Sequence, residues 1–361
     1  MMTNRSYKIK FTVAAFAGFF ASVEAYSQSS VTLYGVVDQS IRYTTSADAE
    51  NKSSVQLTNG AITNSRWGLK GSEDLGGNLK AFFALEDGFE PQSGQVDGAL
   101  FGRKAYVGLS NEIGSVKLGR QDSEAFTFYG SKFDPLTVAN YVATEWPFFL
   151  SEGRVNNTVN YDGKFSGLDI GASYGFGQQA GSLSANSYWG AHASYTQAQF
   201  AIGTVYQQFR DMQSHTQEMW GASARYTLGL AELYLGYLGG SDATGVLDKE
   251  LLNDPSRTVI YGSYVTNPRK DLIVYTGVDY QVTPTVEIRS AFYYDSIRNV
   301  DGLSRNSGKR YTGVVVAEYS LSKATQVYAT ADYNEVKGGA YTELPGKSNS
   351  TGLAVGLRHS F

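Results

Sequence analysis

Hydrophobic and polar residues alternate at the start of the chain and again at its end. Between Val31 and Tyr43, Leu33, Val37, Ile41 and Tyr43 share one face of an extended backbone, and Thr32, Asp38, Ser40 and Arg42 share the other. Successive side chains of a strand point to opposite faces, so this period of two predicts a strand with one apolar and one polar side. The last stretch repeats it: Leu353, Val355, Leu357, His359 and Phe361 alternate with Gly352, Ala354, Gly356, Arg358 and Ser360. A sheet that begins and ends in such strands can pair its two edges and close.

The same alternation predicts sixteen strands, at 31–43, 63–72, 78–88, 102–110, 114–121, 154–162, 168–176, 186–196, 198–209, 217–228, 231–239, 271–282, 285–296, 310–321, 325–334 and 351–361. An even number places both ends of the sheet on one rim. Residues 258–265 also alternate. They are assigned to a long loop with room for a local hairpin, which leaves the count open by two strands. Connections alternate in length. Those at 73–78, 111–114, 163–167 and 283–284 are short and built from Gly, Asn, Asp and Pro, the residues that turns demand. Those at 44–62, 89–101, 122–153, 240–270 and 335–350 are long. Short turns on one rim and long loops on the other are the asymmetry of a transmembrane barrel, with the turns periplasmic and the loops extracellular.

The first residues are set apart from this pattern. Arg5, Lys8 and Lys10 precede an apolar run from Phe11 to Val23, and small residues lead into Ala25-Tyr26-Ser27-Gln28. This is the form of a secretory signal peptide, residues 1–27, cleaved after Ala25 or after Ser27. Its apolar run falls short of the ~20 residues a spanning helix needs. No later segment approaches that length, so membrane crossing has to be by a closed barrel, whose backbone leaves no unpaired edge in lipid. Residues 28–361 are assigned to that barrel. A secreted soluble all-β domain would alternate too. It would turn a dry face inward, whereas the polar face here carries charges and small residues. Tyr43, Tyr174, Tyr195, Tyr280, Tyr319 and Tyr333 recur near strand ends, where an interfacial aromatic girdle belongs.

Composition narrows the function. The 361 residues include 40 Gly and 26 Tyr but no Cys, which removes thiol chemistry and a disulfide framework. Without residues 1–27 the formal charge is (30 − 3) − (34 − 1) = −6. An acidic chain with scattered cations is a poor nucleic-acid binder, and no nucleic-acid partner is expected. His192, His215 and His359 are the only histidines and are expected to be structural or solvated. No nucleophile–base pair, phosphate loop or cofactor site stands out. Asp242 and Asp248 match no cation-loop spacing, so neither an enzyme nor a metal site is expected.

The chemistry lies in charges that alternation turns inward. In Ser65-Arg66-Trp67-Gly68-Leu69-Lys70, placing Trp67 and Leu69 against lipid puts Arg66 and Lys70 in the lumen. The reverse would cost ~2–4 kcal/mol for a cation at the midplane. Arg42 and Asp38 are inward by the same rule. Arg103 and Lys104 point opposite ways, and alternation does not say which enters the lumen. Arg154 follows the long segment 122–153, which is rich in aromatic residues and carries Asp134, Glu145 and Glu152. That segment is too long for a rim turn. Folded inward, it would bury its rings against the wall, narrow the pore and set Asp134, Glu145 and Glu152 across water from the arginines.

Several segments carry a resemblance. Ser29-Ser30-Val31-Thr32-Leu33-Tyr34-Gly35, Ser65-Arg66-Trp67-Gly68-Leu69-Lys70-Gly71-Ser72-Glu73-Asp74-Leu75-Gly76-Gly77, Leu100-Phe101-Gly102-Arg103-Lys104-Ala105-Tyr106-Val107-Gly108-Leu109, Leu118-Gly119-Arg120-Gln121, Arg154-Val155-Asn156-Asn157 and the terminal Phe361 resemble the general porins of β-proteobacteria. The resemblance implies an all-β, sixteen-stranded antiparallel barrel, a third loop folded into the pore and a homotrimer in the outer membrane. Outer-membrane lipid and lipopolysaccharide would surround it, and small hydrophilic solutes and ions would cross it. By resemblance, Arg66, Arg103 and Arg154 form the basic side of the constriction. The expected function is passive diffusion through a water-filled channel, with weak to moderate selectivity leaning towards anions. The alternative is a substrate-specific channel for an organic acid or an oligosaccharide.

Overall fold

The computed structural model describes residues 30–137, 153–251, 261–346 and 348–361. The signal peptide expected at 1–27 lies outside them, as do Glu145 and Glu152. The first strands are β1 (Ser30–Thr44), β2 (Ser54–Asn59), β3 (Arg66–Gly76), β4 (Leu79–Glu90), β5 (Gln95–Val96) and β6 (Lys104–Asn111). Next come β7 (Gly114–Asp122), β8 (Arg154–Phe165), β9 (Leu168–Gly175), β10 (Tyr188–Gln197), β11 (Phe200–Arg210) and β12 (Thr216–Leu228). The last are β13 (Ala231–Asp242), β14 (Arg269–Thr283), β15 (Val286–Arg298), β16 (Gly308–Ser320), β17 (Thr325–Gly338) and β18 (Asn349–Ser360).

Every ladder is antiparallel, and β1 pairs with β18 from Val36↔Ser360 to Thr44↔Gly352, which closes the sheet. The wall nevertheless has sixteen strands. β2 and β3 pair with successive halves of β1 and are two pieces of one wall strand, and β5 only pairs with two residues at the end of β4. The short turns use the backbone freedom their sequences supply. Gly76 and Gly77, between β3 and β4, sit at φ of 83° and 60°, which a Cβ would strain.

Polarity is inverted relative to a soluble domain. Leu33, Ile41, Leu235, Val315 and Val355 are exposed on the outside, while Asp38, Ser40, Glu86 and Thr330 are buried within. An apolar surface that runs right round a barrel is satisfied by hydrocarbon. Tyr43, Tyr195, Tyr280, Tyr319 and Tyr333 stand on this outer face and exposed, as expected of a girdle. Tyr174 shares that face and donates to the Leu183 carbonyl at 2.6 Å.

The structure departs from expectation in three places. Residues 54–59, expected in a loop, form β2. The six residues that follow leave the wall and turn inward, burying Ala61 and Ile62. Asp38 lies beneath this detour. It accepts from the Thr63 amide at 3.1 Å and from the Tyr328 hydroxyl, and Tyr328 in turn accepts from the Ala61 amide at 3.0 Å. Second, the alternating segment at 258–265 holds no strand where it is described: Tyr261–Thr266 is a short helix within the long loop. Third, the inner face is not polar all round. Val205, Met219, Leu238, Ile273, Tyr275 and Tyr293 form an apolar inner patch on β11–β15, and the third loop packs on it.

Three loops are tied together at the long-loop rim. The buried Arg269 donates to Asp271 at 2.7 Å, to Glu343 at 2.9 Å and to Asp248. Asp248 also accepts from the Asp301 amide at 2.8 Å. Asp242 takes amide hydrogens from Thr244 (2.7 Å) and Leu247 (2.8 Å), which starts the helix Val246–Leu251. Both aspartates weighed as cation ligands are thus spent on loop structure. Burial pushes the Glu343 carboxyl up to about 7, against the lowering effect of Arg269 and Arg310.

Candidate pore constriction

The third loop leaves β7 with a helical turn, Glu124–Phe128, capped by the Ser123 hydroxyl accepting from the Phe126 amide at 3.2 Å. A wider turn, Tyr129–Phe133, follows. Phe128 and Phe133 pack ring on ring, 4.7 Å between centroids, and both are buried. The loop is pinned along its course. The Gln207 side chain accepts from the Ala125 amide at 3.0 Å, the Glu124 carboxylate meets His192, and Lys132 pairs with Asp169 at 2.8 Å. Tyr275 then donates to the Phe133 carbonyl at 3.1 Å, and Tyr293 donates to Asp134 at 2.6 Å. The described part therefore crosses the inside of the barrel from β7 to β15.

Arg66, Arg103 and Arg154 come together on the opposite wall. Glu86, on β4, accepts from Arg103 Nε at 2.7 Å and from the Tyr34 hydroxyl at 2.9 Å, with Arg66 Nε at 4.0 Å. Asp122, at the end of β7, lies 3.3 Å from Lys104 and 3.4 Å from Arg154. The Arg154 guanidinium also sits 5.2 Å from the centre of the Phe126 ring at the root of the third loop. Four cations thus share two carboxylates, a formal charge of 4 − 2 = +2. Arg103 and Lys104 both reach this cluster. β6 begins only at Lys104, so Arg103 is free of the alternation that should have sent the two apart.

Arg42 and Lys70 face the lumen but stand away from this cluster. Arg42 pairs with Asp332 at 2.8 Å on the neighbouring wall. Lys70 lies over the Tyr34 ring at 5.1 Å. Asp134 does not face the arginines across water as expected, and Asp38, inward as alternation predicts, does not line open water. Asp134 is 3% exposed and holds the loop to Tyr293, and Asp38 is fully buried beneath the detour after β2.

The carboxylates near the lumen cations are others. Besides Glu86 and Asp122 they include Asp332 beside Arg42, and Asp279, Glu287 and Glu318 on the wall opposite the basic cluster. There Arg289 lies 3.5 Å from Glu318, 3.0 Å from Glu287 and 3.9 Å from Asp279, while Arg358, on β18 and on the Arg66 side of the lumen, reaches Glu318 at 3.2 Å. The four groups on β14–β16 sum to 1 − 3 = −2. Glu86 could have been found in the sequence, because Phe83 and Leu85 claim the lipid side of its strand. Asp122 could not, since a register shift between Gly119 and Gln121 breaks the alternation before it. The histidines are engaged: His192 lies between Glu124 and Asp169, His215 binds Asp211 at 2.7 Å, and His359 meets the Thr325 hydroxyl at 2.9 Å.

A closed barrel with an apolar outside, a charged lumen and a loop folded across it has counterparts among known proteins. The family model described as Gram-negative porin matches residues 12–339. The chain belongs to the Gram-negative porin family. This porin is 29% identical to an outer membrane porin protein of Bordetella pertussis, over 98% of the chain and 100% of that relative. It is 26% identical to outer membrane porin protein 32 of Delftia acidovorans, again over 98% of the chain and 100% of the relative. Among solved structures it is similar to an anion-selective porin from Comamonas acidovorans, with a TM-score of 0.73 and 22% identity over 92% of this chain and 100% of that one. It also resembles the trimer form of the Vibrio cholerae outer membrane protein OmpT, with a TM-score of 0.66 and 14% identity over 92% and 99% of the two chains. Both likenesses are of fold. The porin is a multi-pass outer-membrane protein, and its activity is passive passage of solutes through a water-filled channel.

Proposed function

We propose that this porin favours small anions, including small organic acids, and that Arg66, Arg103 and Arg154 with Lys104 are its basic filter. The observation that carries this is the convergence of four cations on Glu86 and Asp122 beside the root of the third loop. An excess of two positive charges in a water-filled space attracts anions over the ~8–10 Å that physiological salt leaves unscreened. Asp279, Glu287 and Glu318 on the far wall give the lumen a transverse field, so a solute is sorted by its dipole as well as its charge. The chain's overall acidity opposes this preference, but charges more than a screening length from the filter act on it weakly. The anion-selective porin similar in fold lends weight in the same direction.

The signal peptide at 1–27, a homotrimeric assembly and the lack of any catalytic step belong to the same proposal. A trimeric form among similar structures supports the assembly. The deciding experiment is the reversal potential of the purified protein in a planar bilayer under a KCl gradient. The sign expected is that of chloride preference, and a clear potassium preference ends the proposal.

A further inference from the structure

On the side of the basic cluster the wall is interrupted, and the interruption is held by its own bonds. Between β2 and β3 the residues Gly60–Ser65 leave the ladder, so Val37 and Asp38 of β1 have no ladder partner on that side. The detour supplies one. The Ser65 hydroxyl accepts from the Asp38 amide at 2.9 Å and donates to the Asp38 carbonyl at 3.1 Å, and the Gly60 amide donates to the same carbonyl at 2.7 Å. The Ser65 amide donates to the Asn59 side chain at 3.0 Å, and the Ser65 carbonyl accepts from the Phe89 amide at 3.1 Å. Gly60 starts the detour at a φ of 31°, and a Cβ there would stand 2.1 Å from the Thr63 carbonyl oxygen, so the turn closes only over a glycine. Irregular backbone at membrane depth survives only where it is satisfied and faces a cavity. Residues inserted into a strand re-aim the side chain beside them.

The side chain beside this detour is Arg66. Its Nη1 donates to the Thr63 hydroxyl at 2.9 Å and to the Asn64 carbonyl at 3.2 Å, and both acceptors are neutral. The Thr63 hydroxyl is itself fixed, because the Thr63 amide donates to Asp38 at 3.1 Å and a β-branched side chain has few rotamers. The other cations on this half of the lumen sit closer to their carboxylates. Arg103 lies 2.7 Å from Glu86, Arg42 lies 2.8 Å from Asp332, and Lys104 and Arg154 lie 3.3 and 3.4 Å from Asp122. Arg66 is held 4.0 Å from Glu86. It is also the most exposed of the three clustered arginines, its side chain at 30% against 14% for Arg103 and 15% for Arg154. A hydroxyl or a carbonyl satisfies a guanidinium hydrogen without supplying a counter-charge. A carboxylate in contact makes the cation one end of a dipole, whose field dies away faster than that of a lone charge.

We propose that Thr63 is a specificity-determining residue that acts by positioning Arg66. Presented by the detour, its hydroxyl holds the guanidinium off Glu86 and keeps that charge turned to the passing solute. The proposal rests on the basic-filter reading and deepens it. Of the four clustered cations Arg66 gives the lumen the largest share of the field, and it owes that share to an uncharged neighbour. Without the hydroxyl the Arg66 side chain folds onto Glu86 and shares that carboxylate with Arg103.

The test compares reversal potentials of the full-length channel and its variants in a planar bilayer under one KCl gradient. Thr63→Val removes the acceptor and keeps the branched side chain. Its potential should move from the wild-type value in the direction of Arg66→Gln, and by less than Arg66→Gln itself. Thr63→Ser keeps the hydroxyl and should stay at the wild-type value. In the double variant R66Q/T63V the threonine change should add nothing, because its effect passes through Arg66. A packing role for Thr63 would instead give the same shift with and without Arg66. Heat-resistant gel mobility reports an assembled barrel, and Thr63→Ala takes the place of the valine variant if that one fails to assemble. A T63V channel at the wild-type potential, an R66Q channel that does not shift, or a T63V shift that persists in the R66Q background overturns the proposal. The sign of the wild-type potential scores the anion-filter reading separately, since every comparison here is a difference from whatever value the wild type shows.

Discussion

Two regions of the lumen wall are made from the same alternating strands and behave as opposites. On β3–β8 the inward residues are charged: Arg66 and Arg103 gather on the buried Glu86, and Lys104 and Arg154 on the partly exposed Asp122. On β11–β15 the inward residues are Val205, Met219, Leu238, Ile273, Tyr275 and Tyr293, and the third loop covers them with Phe128, Tyr129 and Phe133. One wall is a charged cluster, the proposed filter, and the other is a dry core that happens to lie inside a channel. The difference teaches where an inward acid counts. Asp134 reaches the dry wall and becomes a hydrogen-bond acceptor for Tyr293, whereas Glu86 and Asp122 on the charged wall each gather two cations.

The contrast can be broken most forcefully by removing the charge. R66Q/R103Q/R154Q takes the six-group cluster from +2 to 4 − 3 − 2 = −1. The chloride preference should be lost and replaced by potassium preference in reversal-potential measurements, with the heat resistance of the barrel little changed. On the dry wall the outcome should be reversed. Phe128→Ala removes a fully buried ring and should cost about 3–5 kcal/mol of loop docking. Its signature is a noisier single-channel current and faster proteolysis of the third loop at unchanged ion preference. Tyr293→Phe leaves the buried Asp134 short of its 2.6 Å donor, which should cost about 1–3 kcal/mol and give a milder form of the same noise.

A fourth measurement concerns the loop hub above both walls. Burial raises the Glu343 carboxyl from an ordinary 4.5 to about 7, so the folded hub holds a proton that the unfolded chain has released between those values. Where the folded state binds more protons, stability falls as pH rises. The hub should therefore weaken from pH 4.5 to 7 and level off above, read as hydrogen exchange in Val246–Leu251 and Gly339–Glu343. Glu343→Gln should flatten that slope. The smallest effect is expected from Arg42→Gln. Asp332 already neutralises Arg42 at 2.8 Å, well apart from the filter, so the reversal potential should barely move. A large shift would show that the filter extends further round the barrel than the clustered residues indicate.

Much of this was legible in the chain because alternation is a local property. A strand between lipid and water has to change polarity at every residue, and any misplaced charge costs several kcal/mol. That rule alone places sixteen wall strands, makes the first and last of them able to pair, turns Arg42, Arg66 and Lys70 inward and sets the tyrosines on the outer face. It also held an unused clue: in β13 both Leu235 and Leu238 are apolar although they face opposite ways, and a strand apolar on both faces has both covered. What alternation cannot supply is which strand meets which, and how far a loop reaches. The meeting of Arg103 with Glu86, the shift at Gly119 that brings Asp122 to Arg154, the inward detour after β2 and the docking of Asp134 on Tyr293 join residues up to 267 positions apart. Those distances are set by register, bulges and packing around the whole cylinder, and so only the tertiary structure decided which inward charges meet water.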